Sequence, residues 1–93
     1  MGEKIRRRLT TDGGSWESFT GGKWDRIGRS GPMGIAVVNH PRVFPRGWTV
    51  VRGGRSIGRF PTLREAQAFV DDMLAAERAA LGRRVSADAA LKD

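Results

Sequence analysis

The chain has no cysteine, a single histidine, and no apolar run near the roughly eighteen residues needed to span a bilayer. Without cysteine there can be no disulfide, thiolate metal site or cysteine nucleophile, and the composition fits a reducing cytoplasm. The opening Met1–Gly14 has basic residues but no apolar stretch after them, so a signal peptide is not expected. Arg6 stands where myristoylation wants Ser or Thr. His40, directly before Pro41, has no cysteine or carboxylate beside it and is expected to be a turn residue. No metal site is therefore expected, and no cofactor. Ser18, Ser30 and Ser56 lack the neighbours of a nucleophile, and Asp71 and Asp72 point about 100° apart on a helix. Those two are expected to be solvated surface, and the chain is not expected to be an enzyme.

Positive charge is abundant and unevenly placed. Through Phe60 there are twelve Lys and Arg against four acids, a net of +8; from Pro61 onward there are five against six, a net of −1. Fourteen of the seventeen cations are Arg, whose planar fork suits phosphate, though a GC-rich genome gives the same bias. Ninety-three residues make one domain with one modest core.

The pattern predicts α+β: an antiparallel sheet of about four to five short strands with one long C-terminal helix packed on one face. Residues 1–14 read as a flexible basic arm, 15–82 as the domain and 83–93 as a tail that frays or adds a helical turn. Ser15–Thr20 and Lys23–Gly28 flank a Gly21-Gly22 turn, Gly31-Pro32 reads as a breaker, and Met33–Asn39 is β-rich. His40–Arg46, with two prolines, reads as a loop or edge segment. Trp48–Arg52 and Arg55–Phe60 form a hairpin about Gly53-Gly54. A plain two-residue turn pairs Trp48 with Arg59 and Val50 with Ile57, putting Trp48, Val50 and Ile57 on the core face. Thr62 and Glu65 give a capping box. Leu63, Ala66, Phe69, Val70, Met73, Leu74, Ala80 and Leu81 trace the buried stripe, and Gly82 is the expected stop.

The run Trp48-Thr49-Val50, Gly54, Ile57-Gly58, Phe60, Thr62-Leu63, Glu65-Ala66 resembles small proteins of bacteriophages infecting GC-rich hosts. It is also similar to the latter half of the plant ethylene-response-factor type DNA-binding domain, whose relatives are the arm-binding domains of phage integrases. The resemblance covers residues 46–82. It implies a three-stranded sheet backed by a helix, with the sheet entering the major groove. Arg52 matches an Arg of that pattern, whereas Val50, Gly54 and Ser56 stand where it has an acid, an Arg and a Trp.

Two functions follow as expectations. The first is non-enzymatic nucleic-acid binding, to DNA with little or no sequence specificity, through Lys4, Arg6, Arg7, Arg8, Arg26, Arg29, Arg52 and Arg55. Dense cations near a terminus are also what a solubilising tail carries. The second is a protein–protein interaction module that binds a host protein or forms a homodimer through the sheet. Trp48 is expected in the core, while Trp16 and Trp24 are divided between core and stacking platform.

Overall fold

A computed structural model describes residues 5–40 and 47–91, the last nine as backbone only. Its elements are β1 (Arg6–Leu9), β2 (Ser15–Ser18), β3 (Lys23–Gly28), β4 (Gly31–His40), β5 (Gly47–Arg52), β6 (Arg55–Phe60) and α1 (Leu63–Leu91). The strands form one antiparallel meander in sequence order. The α+β expectation holds, with six strands rather than four to five.

The added strand is β1, so the expected free arm is corrected for Arg6–Leu9: these residues pair in full with Ser15–Ser18. The connection is tied off by Asp12, whose carboxylate accepts from the Gly14 amide (3.1 Å) and the Thr10 hydroxyl. Gly31-Pro32 does not break the chain either. Pro32 lies in β4 opposite Ile27, where an irregular register between Asp25 and Ile27 sets Met33–Ile35 against Arg26 alone. His40 ends β4 opposite Gly47 and is no turn residue. The Pro41–Arg46 part of the expected loop lies outside the described residues.

Gly53 and Gly54 turn the β5–β6 hairpin with φ of 57° and 82°, angles that side chains with a Cβ rarely adopt. Arg52 faces Arg55 as expected, but Ile57 is bulged. Val50 therefore pairs with Gly58 and Trp48 with Phe60, and Ile57 leaves the core face. One extra residue changes the register of everything beyond it.

The helix starts as its sequence requires, with the Thr62 hydroxyl accepting from the Glu65 amide at 3.2 Å. Ala66, Val70 and Leu74 are buried against Trp16, Ile35, Val37 and Val50; Leu63, Phe69, Met73, Trp24, Trp48 and Phe60 pack around them. Phe60 and Phe69 rings meet at 5.0 Å. Beyond Leu74 the helix buries no further side chain: residues 75–82 are all exposed and Leu81 is 61% exposed, while Glu77 and Arg78 still reach Arg52 and Asp12. Gly82 does not stop it, nor is 83–91 a loose tail; the backbone stays helical to Leu91. Ala80 and Leu81 keep the helical spacing but stay exposed. No described helix is long and apolar enough to cross a membrane.

Candidate functional site

Strand alternation divides the arginines between two faces before any contact is considered. Arg8, Trp16 and Arg26 form one cross-strand row on the helix-covered face. Arg26 is only 1% exposed, and its donors are spent internally. Nε donates to Asp71 on α1 at 3.1 Å, Nη1 to the Ile27 carbonyl at 2.7 Å, and Nη2 to Asp12. The guanidinium lies 5.9 Å from the Trp16 ring centroid. Asp71 also accepts from the Trp16 indole at 3.3 Å, so it is a structural partner and not solvated surface. Arg26 thus has no surface to offer a phosphate, which corrects its expected role. It clamps the Asp12 turn, the sheet and the helix together.

Arg52 is committed as well. Its fork donates to both oxygens of Glu77, at 2.6 and 2.9 Å. That hydrogen bonding lowers the Glu77 pKa below its ordinary value and raises that of Arg52. Arg8 Nη1 donates to Gln67 Oε1 at 2.6 Å, and Arg29 Nε to the Asp12 carbonyl at 3.2 Å. Arg7, on the other face, sits 3.7 Å from Glu17 while remaining largely exposed. Arg6 and Arg55 are exposed, at opposite edges of the sheet. Five strand spacings of about 4.8 Å put those edges roughly 24 Å apart. Lys4 lies outside the described residues. The expected cations are thus not gathered into one patch.

Asp12 has the clearest electrostatic signature. The Thr10 hydroxyl bond is the largest cause, and the Gly14 amide and Arg26 add to it; together they outweigh burial and hold its pKa at about 2. A carboxylate depressed in the folded state stabilises the fold above its unfolded pKa near 3.8, and this contribution is lost as pH falls toward 2. Asp12→Asn should therefore flatten the acid limb of stability between about pH 4 and pH 2, as read by circular dichroism melting against pH. An unchanged acid limb would rule out this role.

The sheet face away from the helix was not singled out residue by residue in the sequence, yet it carries an apolar concavity. Ile27, Ala36, Val38 and Val51 line a shallow concavity of about 640 Å³, with Phe19 at its edge. Phe19 is 62% exposed. The Arg7–Glu17 and Lys23–Asp25 pairs flank it, the latter at 3.8 Å. Period-two alternation was the available signal, since Ala36 and Val38 have the opposite parity to buried Ile35 and Val37. Among the described residues no group of three or more His, Asp or Glu could hold a metal.

No protein family, curated protein or solved structure matches this chain.

Proposed function

We propose that the protein is a non-enzymatic interaction module whose uncovered sheet face docks on another protein. The apolar concavity rimmed by Phe19 carries this reading, because water-facing sheet surfaces are normally polar and contiguous apolar patches mark contact sites. The fitting partner is an acidic protein with an apolar centre: a chain of net charge +7 attracts it at long range and repels a second copy of itself.

A photo-crosslinking residue at Val38 or Val51, with Ala75 on the exposed helix as control, tests this in cells of origin. The expected result is one acidic partner captured from both sheet positions, not from the helix, and lost in Phe19→Lys. Adducts of two copies of the chain, or equal capture at Ala75, would overturn it.

A second reading, nucleic-acid binding, keeps support from one observation: β1 places Arg6, Arg7 and Arg8 consecutively on an exposed edge strand. With Arg26 and Arg52 engaged elsewhere, Arg6, Arg7 and Arg55 would carry the phosphate contacts. Fluorescence anisotropy with duplex DNA at low salt should then show affinity that falls about sixfold on doubling salt and weakens in Arg7→Gln. Binding unchanged by either would reject it.

A further inference from the structure

On the helix-covered face, next to the row holding Arg26, a second row runs Arg6, Ser18, Trp24, Val37 and Val50. Arg6 pairs with Ser18, Trp24 with Val37, and Val37 with Val50. Ser18 closes the row by donating to the carbonyl of Lys23, beside Trp24, at 2.7 Å. The helix passes over both rows. Asp71 is bonded to Trp16 and Arg26, and α1 runs from Phe69 beside Phe60 to Glu77 beside Arg52, so Gln67, one turn before Asp71, lies toward the row that holds Trp24. Its contact with Arg8 fixes it on the β1 side.

Among the described residues, this end of the interface holds two buried donors without acceptors. Gln67 is 3% exposed, and its Oε1 is taken by Arg8, which leaves the amide nitrogen directed elsewhere. That nitrogen and the Trp24 indole nitrogen are both buried, and neither has an acceptor among the described residues. An unpaired buried donor is costly, so two together are an unusual arrangement. Arg6 closes the rim: a Cβ on Gly21 would lie 2.8 Å from its Nη1. Arg64, three residues before Gln67, adds a cation on the same side of the helix. The nearest helix carboxylate, Asp71, is held by Trp16 and Arg26; Glu17 lies on the other face of the sheet.

We propose that Arg6, Arg8, Trp24 and Gln67 form a binding site for a phosphate group. The indole and amide N–H donors point inward, and the two exposed arginines fold over the oxyanion or swing aside to admit it. Guanidinium groups supply charge and paired donors; the buried N–H groups supply orientation. The site is on the opposite face from the protein-docking surface, so the two proposals fail independently. A phosphomonoester and a nucleic-acid backbone present the same chemistry here.

The test is a ¹H–¹⁵N titration of the full chain with sodium phosphate at constant ionic strength. The Trp24 indole N–H and the Gln67 side-chain amide should shift saturably in the millimolar range. The Trp16 indole, already bonded to Asp71, should stay in place. Gln67→Glu supplies an internal carboxylate and should abolish the response with the Trp16 signal intact; Arg8→Gln should weaken it by about tenfold. A short oligonucleotide is the second arm. Competition with free phosphate, together with tighter binding lost in Arg8→Gln, identifies a backbone phosphate as the source. Free phosphate binding alone identifies a small phosphorylated ligand. No saturable shift at Trp24, or equal shifts at Trp16 and Trp24, overturns the site.

Discussion

Arg26→Ala is expected to lose about 3–5 kcal/mol of stability, enough to leave much of a domain this small unfolded at ambient temperature. The size follows from what remains after the truncation. Asp12 and Asp71 would both lose their buried cation, the Ile27 carbonyl its donor, and Trp16 the group stacked on it. Burying two charges is costly in itself, so the pairs need not contribute much net stability when intact; stripping one partner is what costs most. Urea denaturation of Arg26→Ala beside Arg7→Ala provides the comparison. Arg7, an exposed residue near Glu17, should change stability by less than about 1 kcal/mol. Similar losses for both would show that the Arg26 cluster does not hold the fold.

Trp16→Ala should cost a similar amount, about 3–5 kcal/mol, for a different reason. The ring is fully buried in the centre of the core, and its removal opens a cavity between sheet and helix. Trp16→Phe comes close to separating the two contributions, since it keeps most of the apolar bulk and deletes the indole donor to Asp71 with a small part of the ring volume. A loss of roughly 1.5–3 kcal/mol is expected for that hydrogen bond to a charged group. Because Trp16 and Arg26 touch and share Asp71, the double variant should lose less than the sum of the singles. Full additivity in a thermal or urea cycle would contradict a shared network.

The helix was legible because its signals are local. A capping residue and apolar positions three and four apart need no knowledge of the rest of the chain. The β5–β6 hairpin was legible for the same reason, and only its bulge was hidden, since nothing in Ser56-Ile57-Gly58 says which residue is extra. β1 went unread because Arg6-Arg7-Arg8-Leu9 looks like a solvated arm; its partner strand Ser15–Ser18 is near in sequence, but Gln67, the helix side chain that meets Arg8, lies 59 residues away. Gly82 misled because a glycine ends a helix only where the chain can turn away to something better. Arg26 had one available clue. In Lys23–Gly28 it shares parity with Trp24, so a core-facing Trp24 implies a core-facing guanidinium. The neutralising partners, Asp12 and Asp71, lie 14 and 45 residues away, and only the folded topology brings them together.

A meander open at both ends can recruit further chains edge to edge without limit, which is how many sheet proteins come to form fibres. Here one terminal strand bears three guanidinium groups in succession, and the other is kinked by its surplus isoleucine. Charge repulsion at one margin and a spoiled ladder at the other both discourage an incoming strand. Complexes of this molecule should accordingly be finite in size and built through its faces.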